Sequence, residues 1–319
     1  METCPGEPAD AAGREELAAF VAAEYGLEAV ALTPAERGFY GQTWRLETRQ
    51  GAAYFLKLVY WPSHQRLYRD SFAALVHLAE HGVDFIGRVR PTTAGDNYSW
   101  FGQALLGVFD WCPGEQIDND DTKAAEYALL ARVYTVPLAG LEIARAEFSD
   151  RAATDFYHLL GQVRDPALTA LFVAHRAVLA TRAGRLDRLA RLCAPDETHF
   201  YLTHGDAGGN LIVGPKGCFL VDWDSVRLAP PERDGWVMGY KPWARALFDR
   251  KLAAVGLDYS LRSERLAYFA HHFWFEYMTE YLTRFLETGT APPPLLDYFT
   301  GWVEERVRCA WRLVGGPTD

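Results

Sequence analysis

The chain has 319 residues, 49% of them hydrophobic and 14% aromatic, with a formal net charge of -10. That length and apolar content suit a packed protein of one large or two smaller lobes and exclude a disordered chain. The negative balance excludes a general nucleic-acid binder, which needs a basic face, and is compatible with a cationic small substrate.

The opening METCPGEPADAAGREEL carries acids where a secretory leader needs basic and then apolar residues, and residues 1–13 read as a flexible tail. A helix is expected from Leu17, Phe20 and Val21, stopped by Gly26. Strands follow in AVALTPAE, GQTWRLETRQG and AAYFLKLVYW, the last two joined by a hairpin turn. RDSFAALVHLAEHGV predicts a helix ending at Gly82, and GRVRPTTAG and SWFGQALLGVFDW predict further strands. CPGEQIDNDD punctuates the pattern and sets a boundary between a lobe of residues 1–111 and one of 112–319.

Beyond the boundary helices dominate: TKAAEYALLARVYTV, ATDFYHLLGQV and a long one from about Pro166 to Leu192. Two short strands, NLIVG and CFLVDW, interrupt them; helices resume in ERLAYFAHHFWFEYMTEYLTRFLE and, after an APPPLL linker, in LLDYFTGWVEERVRCAWRLV. Cys4, Cys112, Cys193, Cys218 and Cys309 are scattered without metal spacing, so reduced thiols in a cytoplasmic protein are expected. No apolar run reaches membrane-spanning length.

The stretch YLTHGDAGGNLIVGPKGCFLVDWDSVRL carries the chemistry. Asp206 precedes one apolar strand and Asp222 follows the next, so antiparallel pairing brings both carboxylates, with Asn210, toward one end. Oxygen ligands of this kind suit a hard cation such as Mg2+, and a carboxylate left off the metal suits proton acceptance from a hydroxyl. In-line phosphoryl transfer needs that combination.

HGDAGGN followed by LVDWD resembles the catalytic loop and metal-binding segment of the aminoglycoside phosphotransferases, relatives of protein kinases. The run VDWDSVRLAPPERD is similar to the spectinomycin-phosphorylating branch of that family. The resemblance implies an α+β, protein-kinase-like fold with a small antiparallel-sheet lobe and a larger helical lobe. It also implies ATP (GTP is possible) and Mg2+ as cofactors, and a small cationic polyol or aminocyclitol as acceptor, with no nucleic-acid or membrane partner.

Residue by residue, Asp206 resembles the catalytic base, and Asn210 and Asp222 the metal ligands. Lys57 in YFLKLVY resembles the phosphate-binding lysine, with Asp70 (or Glu80) as its acidic partner on the next helix. Phe109, Asp110 and Trp111 resemble the hinge whose backbone binds adenine. Gly41 and Thr43 are candidates for covering the phosphates, although ERGFYGQTWRL is not GxGxxG. His204 resembles the histidine that packs beneath the loop, and Asp234 a buried brace.

Asp224, Glu276 and Glu280 are candidates for an acceptor's ammonium groups; Glu276 and Glu280 lie one helical turn apart. Only three residues separate Asp206 from Asn210, where the family usually has four. His271 and His272 lack the partners of a metal site and read as packed histidines. Kinases of choline, homoserine, methylthioribose or fructosamines remain alternatives, as do a catalytically silent kinase-like binding module and a metal-dependent hydrolase using His204, Asp206, Asp222 and Asp224.

Overall fold

The computed structural model describes residues 11–35, 41–196, 198–289 and 297–317. Residues 1–10 of the N-terminal tail, the ERGFY segment and the APPPLL linker lie outside the described residues. The chain forms two compact units, one of residues 1–144 with 204–227, the other of 145–203 with 228–319.

In the first unit, helix α1 (Ala11–Tyr25) ends before Gly26 and leads into strands β1 (Ala29–Pro34), β2 (Gly41–Thr48) and β3 (Ala53–Val59). Helix α2 (Pro62–Glu80) follows, then β4 (Ser99–Phe101) and β5 (Ala104–Asp110). The five strands form an antiparallel sheet in the order β1-β2-β3-β5-β4. Pro62 fits the first turn of α2 because a missing N–H costs nothing there. The strand expected over residues 87–95 is reduced to a bridge between Val89 and Phe109, since Arg90 and Arg88 bond β5 only singly and the chain then turns away.

Side-chain alternation along β3 decides what each sheet face carries. Leu56 and Leu58 turn to the core with Leu17 and Val21 of α1 and Leu46 of β2. Phe55 and Lys57 therefore emerge on the opposite face, where α2 packs. Gly107 of β5 lies opposite Lys57 in the ladder, and a Cβ there would sit 2.6 Å from the Phe72 ring. Its bare Cα lets Phe72 of α2 stack on Phe109 at 5.6 Å and 8°, drawing the helix down beside Lys57. Each such buried apolar side chain contributes about 2–3 kcal/mol.

The chain then adds β6 (Glu115–Gln116), a 3-10 turn at Asp120–Thr122 capped by Asn119, and helix α3 (Lys123–Val133). In the second unit come α4 (Arg151–Leu160), α5 (Pro166–Ala174), α6 (Arg176–Cys193) and β7 (Tyr201–Thr203). The single long helix expected from Pro166 is two, because His175 leaves helical geometry and stacks on Phe299 at 4.1 Å. Asp165 caps α5 by accepting the Leu168 N–H at 2.8 Å.

Strands β8 (Leu211–Gly214) and β9 (Gly217–Leu220) form the expected hairpin in the first unit, with β6 on its edge. β10 (Arg227–Ala229) pairs with β7, and the helices α7 (Glu232–Gly235), α8 (Pro242–Ala254), α9 (Ser263–Thr288), α10 (Asp297–Thr300) and α11 (Trp302–Leu313) complete the second unit. Helix α8 was not foreseen; only Ala244, Phe248 and Leu252 of it are buried, a stripe too narrow to show as a periodic pattern. Helix α9 is the pillar of this unit, packed by α4, α6 and α11 through Phe156, Leu186, Trp274, Phe275 and Val307.

The PPERD run is structural in its contacts. Glu232 is fully buried and accepts from the Tyr259 hydroxyl at 2.7 Å and the Arg262 N–H at 2.6 Å. Burial holds its carboxyl above the ordinary range, opposed by those bonds. Arg233 reaches Thr203, and Asp234 is buried as expected. Among the described residues no helix is long and apolar enough to cross a membrane.

Candidate active site

The β8–β9 hairpin converges its polar groups by simple ladder geometry. Leu211 pairs with Leu220, and one step further the Asn210 carbonyl accepts the Val221 N–H at 3.0 Å, so Asn210 and Asp222 leave the same end of the hairpin. Leu220 also donates to the Phe85 carbonyl at 2.9 Å, tying this end to the segment after α2. Asp222 has φ +64°, a left-handed conformation that a non-glycine residue seldom holds and that often marks functional positions.

His204 is wholly buried and joins the two halves of the stretch. Its Nε2 lies 2.9 Å from the Val221 carbonyl and therefore donates, leaving Nδ1 to accept the Asp206 N–H at 3.2 Å. The ring packs on Trp223 at 4.5 Å. Asp206 is exposed, and Asn210 spans the loop by donating Nδ2 to the Asp206 carbonyl at 2.7 Å and to its carboxylate Oδ2 at 3.3 Å. The loop manages with three intervening residues because it closes as a tight turn, Asn210 N–H to Ala207 carbonyl at 3.1 Å, with Gly209 at φ +94°. Gln116 on β6 buttresses it, donating to the Gly209 carbonyl and lying 3.3 Å from Asn210 Oδ1.

Lys57 is 5% exposed, and its ammonium is 2.6 Å from Asp222 Oδ1 and 2.5 Å from Asp224 Oδ2. Burial opposes its charge, but the two carboxylates outweigh burial and hold the ammonium well above its usual pKa. Asp222 is desolvated on one side yet held below the ordinary carboxylate range by Lys57, and its side chain remains 42% exposed. Asp224, 22% exposed, is pushed above the ordinary carboxylate range by desolvation and by the neighbouring Asp222 charge, against the pull of Lys57.

These groups face a cavity of about 460 Å³, within the usual range of small-molecule sites. Lys57, Thr43, Asn210, Asp222 and Asp224 supply polar lining; Phe55, Leu75, Phe109, Trp111 and Ile212 supply an apolar wall. Thr43 faces the cavity because it is the ladder partner of Lys57. Gly41 stands opposite Val59 at the start of β2, against the Leu58 carbonyl, and is not part of this lining. Of the Phe109–Trp111 segment, the Asp110 N–H is taken by the Arg88 carbonyl at 2.9 Å and the Trp111 N–H by Ala53 at 3.2 Å. Cys112 also lines the cavity, but burial pushes its thiol up to about 12, so it is no nucleophile near neutral pH.

Two expectations meet different geometry. Asp70 is not the partner of Lys57: it accepts the Ala144 N–H at 3.3 Å. At 100° per residue it lies about 200° around α2 from Tyr68, the residue whose ring sits 4.9 Å from the Lys57 ammonium. Glu80, the other helix acid, is exposed at the last turn of α2. Asp224, expected toward the acceptor, is bonded to Lys57 instead. Tyr68 and Gln116 were missed, the first because an apolar-face tyrosine reads as core, the second because a lone glutamine in a loop carries no pattern.

In the second unit, Glu276 and Glu280 lie on α9 as expected. Glu276 is 3.7 Å from His272, and burial raises the Glu280 carboxyl to about 8 against the pull of Arg284. His271 bonds the Ala267 carbonyl at 2.8 Å, in keeping with a packed histidine. Among the described residues no group of three or more His, Cys, Asp or Glu is arranged to hold a metal. A cation held by one carboxylate and one amide, completed by phosphate oxygens, remains within the habits of magnesium.

The model of the phosphotransferase enzyme family matches residues 31–270. A comparison with curated proteins finds none that matches. Among solved structures, spectinomycin phosphotransferase in complex with ADP and spectinomycin is similar with a TM-score of 0.73 and 17% identity, over 94% of this chain and 98% of that one. Choline kinase from Streptococcus pneumoniae is similar with a TM-score of 0.64 and 15% identity, over 94% and 99%. Amicoumacin kinase in complex with AMP-PNP and Ca2+ is similar with a TM-score of 0.62 and 13% identity, over 96% and 95%. At these identities the likeness carries the fold, which is protein-kinase-like.

Proposed function

The chain belongs to the phosphotransferase enzyme family, and from that premise we propose that it transfers the γ-phosphate of ATP to a hydroxyl of a small aminocyclitol or aminoglycoside-type antibiotic. The observation that carries the nucleotide part is the convergence of Lys57, Asn210 and Asp222 on one cavity with an apolar wall. The base of the nucleotide would lie against Phe55, Phe109 and Trp111. Lys57 would donate to the α- and β-phosphate oxygens, and Thr43 lies beside it to help cover them.

Asp222 and Asn210 Oδ1 would hold Mg2+. Bound there, the ion neutralises charge gathering on the phosphoryl oxygens. Asp206 would receive the acceptor's proton: its carboxylate is exposed, while its backbone is fixed through His204 and its Oδ2 is steadied by Asn210. A general base needs this pairing of access and fixed aim. Glu276 and Glu280 on α9 would recognise ammonium groups of the acceptor. A carboxyl such as Glu280, costly to ionise when desolvated, gains most from a cationic partner.

Support for an antibiotic acceptor comes from the DWD and APPERD run and from the spectinomycin enzyme among the similar structures. The similarity to choline kinase keeps simple amino alcohols as the second acceptor class. A coupled ATP-consumption screen over aminocyclitols, aminoglycosides, choline, homoserine, methylthioribose and fructosamines tests both. The expected result is acceptor-dependent turnover with an aminocyclitol that Asp206→Asn reduces by about 10³-fold or more while ADP affinity is kept. Turnover that survives Asp206→Asn contradicts the base assignment. ADP binding without turnover on any acceptor favours the silent binding module.

A further inference from the structure

We infer that Asp224, steadied by Tyr68, is the anionic anchor that aims Lys57 at the nucleotide phosphates, a positioning role that helix α2 does not fill. The inference rests on the nucleotide-site reading above. It starts from a charge balance around one buried ammonium. Lys57 has two carboxylates within hydrogen-bond distance, Asp222 at 2.6 Å and Asp224 at 2.5 Å. Asp222 is the more exposed of the two and is the one assigned to the divalent ion. A carboxylate turned to a dication offers Lys57 less, so the remaining counter-charge must come from Asp224 or from α2.

Helix α2 does not supply it. The face it turns to the cavity is set by Tyr68, Ser71 and Leu75, at i, i+3 and i+7. No acid stands on that face: Asp70 points elsewhere and is bonded to the Ala144 N–H. Tyr68 is 3% exposed, stacks its ring beneath the ammonium at 4.9 Å and hydrogen-bonds Asp224 through its hydroxyl. A neutral phenol can orient the pair and favour the cation through its ring face, but it cannot balance the charge. Asp224 therefore completes what Tyr68 only steadies. Removing one partner of a buried pair is costly because the other charge is left uncompensated, and here that charge is the phosphate-binding one.

The test relocates the carboxylate. ADP affinity is measured by calorimetry across a Mg2+ titration for wild type, Lys57→Met, Asp224→Asn, Tyr68→Phe and the double variant Asp224→Asn with Tyr68→Glu, with melting temperatures as a folding check. Asp224→Asn should weaken ADP binding about tenfold or more, with the half-saturating Mg2+ concentration unchanged. Tyr68→Phe should weaken it by about two- to fivefold, the loss of one hydrogen bond. The double variant, which returns an acid to the cavity from α2, should recover affinity to within about threefold of wild type. Because it keeps the number of charges, it also serves if Asp224→Asn does not fold.

Unchanged ADP affinity in Asp224→Asn, a shift in Mg2+ requirement as its main effect, or failure of the double variant to recover would each overturn the anchor. ADP binding that needs Lys57 but not Asp224 overturns the anchor alone. No ADP binding by wild type, or binding indifferent to Lys57→Met, overturns the nucleotide site and the anchor with it.

Discussion

Gly107→Ala tests whether the seating of α2 on the sheet positions the Lys57 corner. The added Cβ would lie 2.6 and 2.8 Å from two carbons of the Phe72 ring and 2.9 Å from Cε2 of Phe109. Ordinary carbon contact is about 3.5–4.0 Å, so roughly 1 Å of movement is required. Neither ring can yield alone: Phe72 is stacked on Phe109 at 5.6 Å and on Tyr98 at 5.5 Å, with Tyr68 edge-on at 5.5 Å. The displacement therefore passes into α2. Overpacking of this kind costs about 1–3 kcal/mol, and three contacts under 3.0 Å argue for the upper half, ~2–3 kcal/mol. At about 2–4 °C per kcal/mol for units of this size, the melting temperature should fall by ~5–10 °C.

The matched control is Gly184→Ala. Gly184 is an exposed interior position of α6 with nothing within 4 Å of its built Cβ, so the same chemical change should stabilise by about 0.5–1 kcal/mol. Both variants are followed by thermal and urea unfolding, and ADP affinity is measured at a temperature where both are folded. Gly107→Ala should lose ADP affinity because Tyr68 moves with the helix; Gly184→Ala should keep it. A Gly107→Ala protein within 0.5 kcal/mol of wild type, or one destabilised with undisturbed nucleotide binding, would refute the reasoning.

Lys57→Met keeps the side chain's length and removes its charge; kcat/KM for ATP should fall about 10²-fold or more, and a smaller loss would return Lys57 to a packing role. Glu280 gives stability a pH slope that calorimetry can follow. Its folded carboxyl titrates near 8 against an ordinary 4.5, so the folded state binds more protons between those values and this group's contribution is lost as pH rises through that window. Allowing for its partial exposure, the loss is about 2–4 kcal/mol. Glu280→Gln should flatten the slope between pH 5 and 8, and parallel curves for the two proteins would contradict a buried carboxyl.

Much of the fold could be read in advance because it depends on local order. Alternation in YFLKLVY fixed β3 and put Lys57 on the face opposite Leu56 and Leu58. The two apolar runs around Pro215 and Lys216 fixed the β8–β9 hairpin, whose period-two geometry brings Asn210 and Asp222 out at one end. The α+β class and the family followed from the order of those segments. Where local signals were ambiguous, packing decided. One periodic run became α5 and α6 because His175 found a stacking partner in Phe299, more than 120 residues away in sequence.

The partner of Lys57 was out of reach of the sequence for the same reason. The family resemblance pointed to Asp70 or Glu80 on the next helix, both near in the chain, whereas the ammonium meets Asp222 and Asp224, 165 and 167 residues away. Their side chains look alike in the DWD run. Residue chemistry and periodicity are properties of neighbours along the chain, so the sequence by itself determined which groups exist and on which face of a strand they stand. Which carboxylate balances a buried charge depends on distances closed only by tertiary folding: a bare Gly107 that admits Phe72, a helix turned to present Tyr68, and a chain reversal that brings Asp222 and Asp224 back to the ammonium.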